Sequence, residues 1–177
     1  MDNQQERSLA WLAGIIDGEG TITFQTTIRG NNCLCVTPFV TVTNSDDKIT
    51  QEVAAIFESL IRERKTGTVF VHNMAMNTSL IGFTSNKQCR NVRVNGEATR
   101  PILEALLPYL RSEKRRNAEI VLEYLDSRKK SLFIRTSANA IRRGGYRQSE
   151  IDLVVSLRTH KRAKSSETLR SASNIVG

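Results

Sequence analysis

The sequence predicts an α+β domain in which helices cover one face of an antiparallel sheet. Three observations predict it. Apolar residues recur at three- and four-residue spacing in several separated stretches, the mark of helices with one buried side. Thr21 to Ile28 alternates apolar and polar residues and is followed by a turn and a second β-rich run. The elements come in the order helix, hairpin, helix, hairpin, helix. At 177 residues the chain is one domain, or one with an appendage, long enough to bury a core. We divide it into a core over 1–126 and a basic loop with a C-terminal helical extension of the same domain over 127–177.

The first helix carries the stretch around which the rest is organised, Leu9 to Gly20, Leu-Ala-Trp-Leu-Ala-Gly-Ile-Ile-Asp-Gly-Glu-Gly. Asn3 and Glu6 ahead of it have the spacing of a capping box. Leu9, Leu12, Ala13 and Ile16 recur at helical spacing. Ala10, Gly14 and Gly18 lie four apart on one edge, bare enough for a second helix to come backbone-close. Gly18 and Gly20 break the helix and leave Asp17 and Glu19 at its C-terminal end. The helix dipole disfavours negative charge there, so a carboxylate held against it wants a cation. Two such helices packed edge to edge bring two copies of Glu19 together, an arrangement that captures divalent metal.

In the first strand Ile22, Phe24 and Ile28 fall on one side, and Thr21, Thr23, Gln25 and Thr27 on the other. Arg29-Gly30-Asn31-Asn32 is a turn, and a second strand runs from about Leu34 to Thr43, with Pro38 arguing for an edge position or a bulge. Asn44 or Ser45 caps the next helix, with Asp46 and Asp47 in its first turn. Its stripe is Ile49, Val53, Ile56, Phe57, Leu60 and Ile61, and Gly67 closes the connection. Thr68–His72 and Ser79–Thr84 are the second hairpin, and Ser85–Glu97 reads as a polar connection with room for an extra strand around Val92 and Val94. Thr99 caps a helix from Arg100 to Leu107, broken at Pro108. A helix from about Ser112 to Asp126 follows. The run from Arg128 to Arg147 holds seven Lys/Arg and no acid, and reads mostly as loop. Ser149 with Asp152 starts a last helix to about Leu157, and the tail from Thr159 is basic and Ser-rich.

Composition narrows the function classes. The net charge of +8 is uneven: nine Lys/Arg against ten Asp/Glu over 1–99, and seventeen against eight over 100–177. A basic half beside a near-neutral one suggests a polyanion partner. No apolar stretch is long enough to span a membrane, and the N-terminus lacks the pattern of a signal peptide. Three cysteines, odd in number and without C-x-x-C spacing, and two histidines make no zinc site, which points to reduced thiols inside a cell. There is no Gly-rich phosphate loop, no His-containing metal box and no Ser-His-Asp set that spacing singles out, and an HNH-type nuclease is excluded by the histidine count.

Leu12-Ala13-Gly14-Ile15-Ile16-Asp17-Gly18-Glu19-Gly20 resembles the signature of the LAGLIDADG homing endonucleases. One copy is present, so the chain looks like a single-motif, homodimeric member. The resemblance covers roughly residues 5–126 well and the rest loosely. It implies an αββαββα core whose curved four-stranded sheet lies along a DNA groove with its polar face. It also implies a double-strand break in double-stranded DNA by Mg²⁺-dependent phosphodiester hydrolysis, on a long pseudo-palindromic site read half by each subunit. Such a protein belongs in a bacterial cytoplasm or organelle matrix. The alternative is a maturase of the same fold that binds RNA and assists intron splicing, which the basic run from Arg128 leaves open.

The resemblance places the metal-binding carboxylate at Glu19, with the Gly18 carbonyl as a second ligand or a glycine needed only for the turn. Asp17 takes a structural role. Asn44 and Lys48 match a polar water-organiser and a basic residue near the metals, though Asn44 also suits a plain N-cap. A lysine of the catalytic pocket follows a Leu-Pro-Tyr-Leu stretch, here Leu107 to Leu110; the chain is one residue longer at that point, so Lys114 is the choice and Arg115 the rival. Thr23, Gln25, Thr27, Arg29, Thr37 and Thr41 form the expected base-reading face. Lys129, Lys130, Arg142, Arg143 and Arg147 look like phosphate neutralisers. Ala10, Gly14 and Gly18 form the dimer edge.

Overall fold

The computed structural model describes residues 3–29, 33–75, 88–131, 134–137, 140–142 and 146–159. Helix α1 spans Asn3–Glu19, followed by β1 (Gly20–Arg29), β2 (Cys33–Asn44), α2 (Asp47–Arg64), β3 (Val69–Ala75), β4 (Gln88–Asn95), α3 (Thr99–Leu106), α4 (Glu113–Ser131), β5 (Ile134–Ser137), β6 (Ala140–Arg142) and α5 (Gln148–Thr159). The fold is α+β. Its main sheet is antiparallel with strand order β1-β2-β4-β3, and β5 and β6 pair separately.

The α1 residues Leu9, Leu12, Ala13 and Ile16 are buried, as their spacing predicts. Gly20 is dictated by the helix it ends, because a Cβ there would stand 2.6 Å from Ile16 Cα. The β1–β2 register runs unbroken from Gly20↔Val42 to Arg29↔Cys33. It buries Ile22 and Phe24, the latter edge-on to Tyr124 at 4.8 Å between ring centroids. Ile28 shares their face by alternation but is 60 % exposed, since the hairpin tip reaches past the packed layer of described residues.

Beyond its contact with β1, β2 pairs with β4 only from Phe39 onward. Among the described residues its other half has no second strand beside it, and two tyrosines take that place. The Val36 N–H donates to the Tyr146 hydroxyl at 2.8 Å, and the Tyr124 hydroxyl donates to the Val36 carbonyl at 3.3 Å. Burial pushes the Tyr124 phenol above its ordinary pKa, so it stays protonated to donate. With the Val36 N–H and C=O turned to this edge, the backbone of Pro38 two residues on faces the same side, where its missing N–H costs nothing.

Two sequence expectations about α2 and its neighbours are corrected. Asp46, not Asn44 or Ser45, caps α2: its Oδ1 accepts from the N–H groups of Lys48 at 2.8 Å and Ile49 at 3.4 Å. The fourth strand of the sheet is Gln88–Asn95, in the stretch read as a polar connection. Val92 and Val94 point into the core, pairing with Val42 and Val40 on one side and Val71 and Val69 on the other. The Ser79–Thr84 strand lies outside the described residues. Lys65, rather than a glycine, takes the left-handed C-cap of α2 at φ 51°.

Thr99 does not cap α3. A 3₁₀ turn, Gly96–Ala98, leads into the helix, and the Thr99 hydroxyl donates back to the Gly96 carbonyl at 2.7 Å. Arg100 ties this turn to α4, with ion pairs to Glu97 at 2.7 Å and Asp126 at 2.8 Å. Burial alone would lower its pKa; the two carboxylates reverse that and raise it.

The described parts of the basic run are helix and strand as well as loop. Helix α4 extends to Ser131, and β5 pairs with β6 inside the run. Helix α5 starts at Gln148, and the acid that reaches back to cap it is Glu150, not Asp152. Fully buried, Glu150 accepts from the Arg147 N–H at 2.9 Å, the Ser127 hydroxyl at 3.0 Å and Arg128 Nη1 at 3.3 Å. Val154 and Leu157 then join the hydrophobic core with Ile102, Leu103, Leu106, Val121 and Leu125. Among the described residues no helix is long and apolar enough to cross a membrane.

Candidate functional site

Glu19 is the last residue of α1 and is exposed, as is Gly18 before it. The Asn44 side chain, at the end of β2, donates from Nδ2 to Glu19 Oε2. The other end of that amide is held too, since Asn44 Oδ1 accepts the Asp46 N–H at 2.7 Å. An acceptor fixed on one side leaves the NH₂ facing the carboxylate. Lys48 lies in the first turn of α2, exposed, four residues beyond Asn44. The Glu19–Asn44 pair thus joins the end of a helix, the end of a strand and the start of a second helix.

Along the flank of α1 leading to this point, Ala10, Gly14 and Gly18 are all exposed. A Cβ added at Gly14 or Gly18 would meet nothing within 4 Å. The chain's own packing therefore explains neither glycine, in contrast to Gly20.

Asp17 turns the other way. It accepts hydrogen bonds from the Ser112 hydroxyl at 2.6 Å and from the backbone N–H groups of Arg111 at 2.9 Å and Ser112 at 3.4 Å. It thereby sits at the negative end of α1 and the positive end of α4 at once, the second offsetting the first. Burial would raise its pKa, but these bonds and the nearby Lys114 charge outweigh that and hold it below the ordinary value. The Lys114 side chain is 11 % exposed, with Nζ 3.9 Å from Glu113 Oε1. Arg115 points outward and pairs with Glu119 at 3.4 Å. Of the two cations the sequence left open, Lys114 is the one beside the acidic end of α1.

The helix-free face of the sheet presents Thr23, Gln25 and Thr27 from β1, with Thr37 opposite Gln25 and Thr41 opposite Thr21 on β2. Arg29 pairs with Cys33 at the strand ends, and its side chain lies outside the described residues. Sequence reasoning missed the contribution of β4. Asn91 donates to both Thr41 and Thr43 hydroxyls at 2.7 Å, and Arg93 bonds Gln25 and Asn95 while lying 3.9 Å over the Phe39 ring. Partial burial draws the Arg93 pKa below its usual value without discharging it. The signal was there in the alternation Asn91-Val92-Arg93-Val94-Asn95, polar on one side and Val on the other.

Among the basic residues, Lys129 pairs with Glu97 at 3.5 Å and Arg147 is exposed. Lys130 lies in the last turn of α4 and Arg142 in β6, their side chains outside the described residues, as is the whole of Arg143.

No protein-family model and no curated protein sequence matches the chain. Solved structures do. The homing endonuclease I-CvuI, in complex with its target in the presence of calcium, is 22 % identical over 98 % of this chain and 97 % of its own, with a TM-score of 0.58. The archaeal intron-encoded homing endonuclease I-Vdi141I, complexed with DNA, is 11 % identical over 94 % of this chain and 97 % of its own, with a TM-score of 0.60. The LAGLIDADG homing endonuclease I-SmaMI, bound to cleaved DNA, is 18 % identical over 96 % of this chain but 48 % of its own, with a TM-score of 0.58. The fold is that of the LAGLIDADG homing endonucleases. The match spans nearly the whole I-CvuI chain and about half of the I-SmaMI chain. In this LAGLIDADG fold the motif stretch Leu12–Gly20 ends α1 and opens β1, so the bare edge, the exposed acid and the root of the polar strand are one continuous piece of chain.

Proposed function

We propose that two copies of the chain pack edge to edge along Ala10, Gly14 and Gly18 and form a sequence-specific homing endonuclease that hydrolyses both strands of a pseudo-palindromic DNA site with Mg²⁺. The observation that carries this reading is the exposed Glu19 at the end of a bare helix edge whose glycines the chain's own packing leaves unexplained. Among the described residues no group of three or more His, Cys, Asp or Glu could hold a metal. One chain offers the Glu19 carboxylate and the Gly18 carbonyl, which is too few ligands, and a second copy doubles the set. The donors are oxygens, which suits a hard cation. Bound there, Mg²⁺ supplies charge stabilisation at the scissile phosphate and a more acidic water.

The chain's own groups have separate tasks. Asn44 orients Glu19 and can hold a water at its side. Lys48, in the first turn of α2, and Lys114, near Asp17, are the cations offered to charge developing on the phosphate. The polar sheet face enters the major groove, while Lys129, Lys130, Arg142, Arg143 and Arg147 contact the backbone phosphates.

Replacing Glu19 by Gln keeps shape and removes the charge that holds the cation. On a duplex selected by the wild-type protein, nicking should fall by orders of magnitude while the gel shift survives in Ca²⁺. Cleavage by Glu19→Gln at the wild-type rate would end the catalytic assignment. The RNA-binding maturase of the same fold makes the opposite forecast, intron splicing assistance that is indifferent to Glu19.

A further inference from the structure

Arg93 stands on the outward face of β4, opposite Thr41 of β2 and Phe70 of β3. Three neighbours hold its guanidinium. Nε donates to Asn95 Oδ1 at 2.6 Å, Nη2 donates to Gln25 Oε1, and the Phe39 ring covers one flat face at 3.9 Å from Cζ. The edge shared by Nε and Nη2 is thus engaged. Among the described residues, the end-on edge of Nη1 and Nη2 is the one left to meet an outside partner.

The lock acts on Gln25 as well. A glutamine reads adenine in two places by accepting from N6 and donating to N7. The Gln25 amide oxygen is already taken by Arg93. That bond uses one of the oxygen's two lone pairs and fixes the amide, so an adenine donor must share the oxygen with Arg93, and the adenine reading expected from the residue type is weakened while Arg93 is in place.

We propose that Arg93 and Gln25 work as one preassembled reading unit, an inference that rests on the endonuclease reading above. Arg93 meets O6 and N7 of a guanine with its end-on edge, and Gln25, its oxygen shared with Arg93, acts chiefly as a donor at the neighbouring position. Both side chains are ordered before DNA arrives, so less freedom is lost on binding. Specificity at the two positions is then coupled: removing Arg93 releases the Gln25 oxygen and lets Gln25 read adenine.

Selection from a pool of randomised duplexes in Ca²⁺, by wild type, Gln25→Ala and Arg93→Ala, reads the base preference at each position. The Gln25 position is the one whose preference Gln25→Ala alters. Wild type should favour guanine about tenfold at one position of each half-site, with a weaker adenine preference at the Gln25 position than Arg93→Ala shows. Arg93→Ala should lose the first and gain adenine at the second. Arg93→Lys, which keeps charge and stem but not the fork, should do the same and serves if Ala weakens the sheet. Loss of the guanine preference with an unchanged Gln25 position overturns the coupling. A wild type that selects no duplex sinks the endonuclease reading and the base-reading role with it. The lock itself is judged separately by heteronuclear NMR of the DNA-free protein. Hindered rotation should resolve the Arg93 Nη protons, and Gln25→Ala should merge them; a freely rotating Arg93 in the wild type overturns the lock whatever the duplexes show.

Discussion

The Asp17 carboxylate accepts the Ser112 hydroxyl at 2.6 Å, across 95 positions of sequence. The same hydroxyl accepts the Lys114 N–H at 3.1 Å, so the acid at the end of α1 sets the first turn of α4. The sheltered Lys114 side chain starts from that turn. Two acids two residues apart have therefore diverged, one tying helices together and one facing outward beside Asn44.

Asp17→Asn keeps one acceptor oxygen but removes the charge at the start of α4, and should cost about 0.3–1 kcal/mol. The pH dependence has a definite sign. The Asp17 pKa is lower folded than unfolded, so its stabilisation is complete above the unfolded value, about 4, and fades as pH falls through the folded one. Urea midpoints of wild type and Asp17→Asn should differ at neutral pH and converge in strong acid. A constant difference down to the lowest pH would remove the carboxylate's charge from the account.

Gly14→Leu leaves the fold alone, because the added Cβ meets nothing within 4 Å. It should instead block the approach of a second α1. Light scattering should give a dimer for the wild type and a monomer for Gly14→Leu, with thermal midpoints close together. A wild type that stays monomeric at micromolar concentration with DNA present would sink the dimer.

Reversing charge at Arg142 and Arg147 should weaken binding to target and non-target duplexes alike. Each phosphate no longer neutralised should lessen the slope of log affinity against log salt by roughly 0.9. An effect confined to the target duplex would mean that these arginines read bases.

Tyr146→Phe removes the acceptor of the Val36 N–H at the β2 edge. A buried amide left unsatisfied costs about 1–3 kcal/mol, and hydrogen exchange at Val36 should quicken beyond what global stability explains. If Val36 exchanges only with global unfolding in both proteins, the tyrosine does not guard that edge.

The first half of the chain was legible because each element carries its own period. Leu9, Leu12, Ala13 and Ile16 declare a helix without help from elsewhere, and Ile22 and Phe24 declare a strand. The fourth strand was legible only in part: the sequence leaves room for a strand around Val92 and Val94, but its span and its place in the sheet come from pairing with Val40 and Val42 some fifty residues away. The cap of α2 failed for a related reason. Asn44 and Asp46 are equally able to cap in isolation, and the choice falls to Asp46 because Asn44 is drawn to Glu19, a neighbour present only after folding. In the C-terminal part the local sequence favours Ser149 and Asp152 for the helix start, and the burial of Glu150 instead depends on Ser127 and Arg128 arriving from α4.

Helix α1 ends at Glu19 and β1 begins at Gly20, with no residue between them to act as a joint. A strand advances about 3.3 Å per residue and a duplex about 3.4 Å per base pair. On DNA laid along β1, the chain is then a ruler whose zero mark is Glu19. Thr21, Thr23, Gln25 and Thr27 fall on every second division, leaving alternate base pairs to side chains of β2 and β4. On the proposed reading, with Glu19 at the cut and the sheet face on the bases, that spacing is set by peptide bonds rather than by contacts, so substitutions on the sheet should change which letters are read but not how far from them the strand is broken.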